Sequence, residues 1–107
     1  MSLPAFASER ELQSAVIELA RRTGWLAFHV IDSRKSTGPG FPDLVLCHRE
    51  TGRVIFAELK GLRGRVSEQQ GEWLTALSKG NAESALWRPD DWPHIQQTLI
   101  GERSVAA

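Results

Sequence analysis

Two short apolar segments around Glu50-Thr51-Gly52 constrain this chain most strongly. Asp43 to His48 and Arg53 to Lys60 are rich in aliphatic and aromatic residues, and Thr51-Gly52 is a hairpin signal. The spacing predicts two antiparallel strands joined by a two-residue turn. That register sets Asp43 opposite Lys60 and on the same face as Glu58, because side chains alternate along a strand. A bulge at Gly52 would break this parity.

The flanking segments supply helices and two more strands. Ser8-Glu9-Arg10-Glu11 has the form of a capping box. Leu12, Val16, Leu19 and Ala20 then recur at helical spacing up to the stop at Thr23-Gly24, which predicts a helix over Glu9 to Arg22. Trp25 to Ile31 reads as a buried strand. Asp32 to Phe41 is a polar, glycine-containing loop, and its length in a small domain points to a functional role. Ser67 and Gln70 form a second capping pair ahead of Trp73, Leu74 and Leu77, and Gly80-Asn81 ends that helix. Ala82 to Arg88 is a fourth strand, and Asp90-Asp91 opens a last helix with Ile95 and Leu99. The order is α-β-β-β-α-β-α, an α/β domain with a mixed central sheet flanked by helices. A length of 107 residues suits a single domain over 1–107, with residues 1–7 and 104–107 expected as flexible ends.

Composition narrows the function. Cys47 is the one cysteine, which excludes an internal disulfide and a structural zinc centre, and it reads as a small buried apolar residue. No apolar run approaches the roughly 20 residues of a membrane span, and no leader opens the chain, so no membrane partner and a cytoplasmic location are expected. Lys+Arg and Asp+Glu both number 13, but the balance is uneven. Arg34, Lys35, Arg49, Arg53, Lys60, Arg63 and Arg65 outnumber Asp43, Glu50 and Glu58 between positions 34 and 65.

Glu58 and Lys60 are two apart on one predicted strand, and Asp43 joins them across the hairpin. Two carboxylates suit Mg²⁺, a hard ion that takes oxygen ligands and keeps several waters; the Leu59 carbonyl is a plausible third ligand. Lys60 beside them could orient water and stabilise the transition state of phosphodiester hydrolysis. The alternative is a surface ion pair worth under about 1 kcal/mol. Ser33, Arg34, Lys35 and Ser36 in the long loop are first candidates for contact with a phosphate backbone, and Arg63 and Arg65 come second. His29, His48 and His94 share no ligand spacing; the parity of His29 could bring it near the active face, with a satisfied strand histidine as the other reading. Trp25, Trp73, Trp87 and Trp92 suit core packing, although an exposed one could stack on an unpaired base.

Gly40-Phe41-Pro42-Asp43-Leu44-Val45 followed by Phe56-Ala57-Glu58-Leu59-Lys60 resembles the PD-(D/E)xK nuclease core, and more closely the virus-type replication-repair nuclease (VRR-NUC) domain. Glu9 and Gln13, Gly24-Trp25, Ser33 to Ser36, Ser67 to Gln70 with Trp73-Leu74, and Trp87 to Trp92 extend the similarity over nearly the whole chain. The resemblance implies a restriction-endonuclease-like fold and a Mg²⁺- or Mn²⁺-dependent DNA endonuclease. Asp43 and Glu58 would be metal ligands and Lys60 the catalytic cation. Glu9 would complete the site through a metal-bound water, with Glu11 as its competitor. Gln70 would hold a water or phosphate, or else only cap its own helix. Glu9 to Leu12 is also similar to helix 1 of Holliday-junction resolvases, which implies branched DNA as substrate, a homodimer, and a bacterial cell or phage-infected host as setting. The competing readings are a non-catalytic DNA-binding or assembly protein on this scaffold and a sequence-specific restriction-type nuclease.

Overall fold

The computed structural model describes residues 8–31 and 35–103. Ser33, Arg34 and the expected flexible ends lie outside the described residues. Helix α1 spans Glu9–Arg22, and the Ser8 hydroxyl accepts the Glu11 N–H at 3.1 Å while donating to the Glu11 carboxylate at 2.9 Å. Acids in its first turn and arginines in its last complement the helix dipole. Strand β1 is Trp25–His29, two residues shorter than predicted at its end, although the Val30 N–H still donates to the Asp43 carbonyl at 2.8 Å. Strands β2 (Leu44–His48) and β3 (Val54–Leu59) follow, then α2 (Glu68–Ser78), β4 (Glu83–Trp87), a 3-10 turn over Pro89–Asp91 and α3 (Trp92–Gly101).

The sheet order is β1-β2-β3-β4, antiparallel except for the parallel β3–β4 pair. The expected α-β-β-β-α-β-α order and mixed sheet are present. Leu12, Val16 and Ala20 of α1 and Ile95 and Leu99 of α3 bury one sheet face against Trp25, Leu44, Leu46, Ile55, Ala57 and Leu59. Helix α2 lies on the other face, where the Ser84 hydroxyl donates to the Leu74 carbonyl at 3.1 Å. Phe41 links the two layers, edge-on to both Phe56 and Trp73. Trp73, Leu74 and Leu77 are only half-buried there. Among the described residues, no helix is long and apolar enough to cross a membrane.

The β2–β3 register differs from the predicted one by two residues. Leu44 pairs with Ala57 and Cys47 with Val54, so one further step sets Asp43 level with Glu58, not Lys60. The cause is a four-residue loop, 49–52, in place of a two-residue turn. The His48 N–H donates to the Arg53 carbonyl at 2.9 Å, and the Gly52 N–H to the His48 carbonyl at 2.9 Å. Inside the loop, His48 Nδ1 accepts from the Glu50 and Thr51 N–H groups, both at 3.3 Å. A side chain therefore does the work that a tight turn leaves to backbone alone. An even shift preserves parity, so Asp43 and Glu58 still share a face.

Candidate active site

The candidate groups meet where β3 ends and β2 begins. Asp43 immediately precedes β2, and its Oδ2 accepts the Leu59 N–H at 2.8 Å. This bond holds the carboxylate against the peptide that joins Glu58 to Lys60 through Leu59. Lys60 lies one residue beyond β3, with its N–H donating to the Trp87 carbonyl at 3.0 Å. Its Nζ is 3.5 Å from Glu58 Oε2.

Glu58 is the unusual member. It is 1% exposed, and neither carboxylate oxygen has a hydrogen-bond partner. A buried ionised carboxylate is costly unless paired and hydrogen-bonded, and one ammonium at 3.5 Å does not fully compensate. Burial first, and then the Asp43 charge, push its pKa up to about 7; Lys60 pulls the other way. The Lys60 ammonium thus offsets only part of the cost of burying this carboxylate beside Asp43.

Glu9, the first residue of α1, feels the same field. Its pKa is raised by lost hydration and then by Asp43, with Lys60 opposing. Glu11 is engaged by the Ser8 hydroxyl instead. Gln70 closes the α2 capping box: its Oε1 accepts the Ser67 N–H at 2.8 Å, which leaves the amide nitrogen as the donor of that side chain. The α2 N-terminus is nonetheless close to the route into Asp43, because a Cβ added at Gly40 would lie 2.7 Å from the Gln70 backbone nitrogen.

The remaining candidates are spread more widely. Lys35 and Ser36 are exposed in the long loop, and Arg63 and Arg65 are exposed just beyond β3. His29 pairs with Leu44 and so faces away from Glu58, which removes it from the active face. His48 is structural, 4% exposed and edge-on to Trp25. Arg53 counts among the central cations in sequence, but it forms a bidentate pair with Glu83 (2.6 and 2.8 Å) and reaches Glu102 at 3.0 Å. That network stands at the opposite end of β3 from Lys60. Arg88 is a residue to which the sequence assigns no role; its Nη1 donates to the Gly61 carbonyl at 2.8 Å and so anchors the chain just after Lys60. Its sequence signals are its place in the Trp87 to Trp92 stretch and a position just beyond β4, level with Lys60.

Among the described residues, no group of three or more His, Cys, Asp or Glu side chains forms a metal-binding cluster. The donor set is two carboxylates at the fork of β2 and β3, with Glu9 nearby.

Glu58 carries a stability prediction. In metal-free protein it keeps its proton up to about pH 7, whereas a freely exposed glutamate loses it near 4.5. The folded state therefore binds more protons across that window, and stability falls as pH rises through it, with the full deficit present above pH 7. With chelator present, Glu58→Gln is expected to be about 1–3 kcal/mol more stable than the parent at pH 8 and to match it near pH 4. Urea unfolding at both pH values checks this, and equal stabilities at pH 8 would contradict the burial argument.

The fold has a solved counterpart. A VRR_NUC domain protein superposes with a TM-score of 0.64 at 19% identity, covering 88% of each chain. No curated protein matches the chain. The VRR-NUC domain match extends over residues 2–90, which includes every carboxylate of the site, and the chain belongs to the VRR-NUC nuclease domain family.

Proposed function

We propose that this chain is a structure-selective DNA endonuclease that hydrolyses phosphodiester bonds with Mg²⁺ or Mn²⁺ at the Asp43–Glu58–Lys60 site. The observation that carries the reading is Glu58, a buried carboxylate whose two oxygens accept no hydrogen bond and meet only the Lys60 ammonium at 3.5 Å, beside a second carboxylate. Buried polar groups are almost always satisfied, so an orphan at this position calls for a cation. Mg²⁺ typically takes one or two carboxylates and completes its shell with waters and phosphate oxygens, which accommodates the small donor set. Asp43, Glu58 and the Leu59 carbonyl would hold the ion, and Glu9 would orient a water beside it. When bound, a divalent ion acidifies water and neutralises charge on a phosphate oxygen.

The protein groups account for the rest. Asp43 is fixed by the Leu59 N–H, so its carboxylate needs no reorganisation when DNA binds. Lys60 has three donors and, among the described residues, one ion pair, to Glu58 at 3.5 Å; it can turn a donor to the phosphate as charge develops there. Gln70 adds an amide donor from α2. Lys35, Arg63 and Arg65 neutralise flanking phosphates and the Ser36 hydroxyl adds a neutral donor; Arg34 and Ser33 are given the same two roles from sequence.

Branched DNA and a homodimer are part of this reading. Leu26 and Phe28 of β1 are 49% and 65% exposed, on the sheet face that α2 covers only at its other side. β1 is an edge strand without Lys, Asp, Glu or Pro, the residues that usually block pairing with another chain. A second copy seated there would pair two active sites for two strands of a branch.

A cleavage panel tests the proposal: four-way junction, flap, duplex and single strand, with Mg²⁺, Mn²⁺ or EDTA, beside a solution mass measurement. Junction or flap cleavage is expected with either metal, and none with EDTA or in Asp43→Ala. Binding without cleavage under every condition would favour a non-catalytic scaffold.

A further inference from the structure

We infer that the turn Gly61-Leu62-Arg63-Gly64 is a strand-separating wedge, with Leu62 as the side chain that inserts at a base step beside the scissile phosphate. This rests on the DNA-hydrolysing reading above and deepens it by naming what selects a branch over continuous duplex. The turn follows Lys60 directly and is fixed at its base. The Gly64 N–H points to the Gly61 carbonyl at 3.4 Å, and the same carbonyl accepts from Arg88 at 2.8 Å. It also folds back on the catalytic lysine: a Cβ at Gly64 would lie 3.3 Å from Lys60 Cδ and 3.5 Å from its Cβ. Whatever the turn presents is therefore presented next to the phosphate that Lys60 would contact.

It presents an apolar residue between cations. Leu62 is 45% exposed, and Arg63 and Arg65 are exposed beside it. An apolar side chain on a pinned, otherwise basic turn gains nothing from water, whereas DNA-deforming proteins use Leu, Phe or Ile in this way to unstack a base step while arginines hold the backbone. A second exposed apolar residue stands beside the site: Leu86, the register partner of Glu58 on β4, is 37% exposed. A nicked or branched site is already partly unstacked, so a wedge costs less there than in continuous duplex.

The test compares a fully paired four-way junction with the same junction carrying two mismatches at the mapped cut site. Wedge loss matters only where bases must be opened. In Leu62→Ala, kcat/KM on the paired junction relative to the mismatched one is expected to fall about tenfold, and Leu62→Phe is expected to restore the ratio. In parallel, 2-aminopurine at the cut step should brighten on binding Asp43→Ala but not Asp43→Ala/Leu62→Ala. An unchanged ratio together with equal 2-aminopurine signals overturns the wedge. Failure of the parent to cut any DNA overturns the functional reading instead. Leu62 packs into no core, and a thermal melt of each variant confirms that folding is retained.

Discussion

Lys60→Ala is expected to lower single-turnover DNA cleavage by about a thousandfold or more while leaving DNA affinity within about threefold. The asymmetry follows from geometry. Lys60 is one cation among several near the site, so its share of phosphate neutralisation in the ground state is small. In the proposed reaction its ammonium, 3.5 Å from Glu58, would meet the charge that develops in the transition state. The same substitution removes the one interaction that pulls the Glu58 pKa down, so Glu58 is expected to keep its proton to higher pH. Loss of cleavage should accordingly be worst at neutral pH and partly relieved in alkali, as read from a pH–rate profile. Lys60→Arg keeps the charge but replaces a compact ammonium with a broad planar fork, and only partial activity is expected. Equal losses of affinity and cleavage in Lys60→Ala would assign the lysine to binding alone.

Gly40→Ala is expected to destabilise the fold by about 2–4 kcal/mol, with Gly52→Ala as its control at about 1 kcal/mol. Both glycines have positive φ, +87° at Gly40 and +74° at Gly52, so both substitutions carry the left-handed backbone cost. They differ in surroundings. A Cβ at Gly52 meets nothing within 4 Å, whereas at Gly40 it would lie 2.6 Å from the Gln69 carbonyl carbon and 2.7 Å from the Gln70 nitrogen. Those are backbone atoms of the first turn of α2 and cannot rotate aside. The loop must lift from the helix, and Pro42-Asp43 lies two residues further on. Gly40→Ala should therefore also weaken cleavage through a displaced Asp43, and Gly52→Ala should not. Paired chemical denaturation curves check the difference; equal destabilisation would mean that the loop yields freely.

Local signals carried much of the fold. α1 occupies the predicted Glu9–Arg22 because its cap, its apolar spacing and its stop all act within a few residues. The second capping box is present for the same reason. Strands were read one or two residues too long, since pairing ends where a partner ends and not where β-propensity does. No turn signal encodes the four-residue hairpin loop, because His48 organises it through ring hydrogen bonds. Arg53 counts in the basic excess of the central stretch, but the acids that pair with it lie 30 and 49 residues away.

Asp43, Glu58 and Lys60 were legible as a set because strand alternation alone puts residues of like parity on one side, and an even slip in register leaves that relation intact. Whether Glu58 or Lys60 lies level with Asp43, which acid of α1 enters its field, and how completely Glu58 is sealed from water were settled only by long-range packing. Those properties depend on the distance between segments far apart in the chain, and a linear pattern of residue types does not specify it.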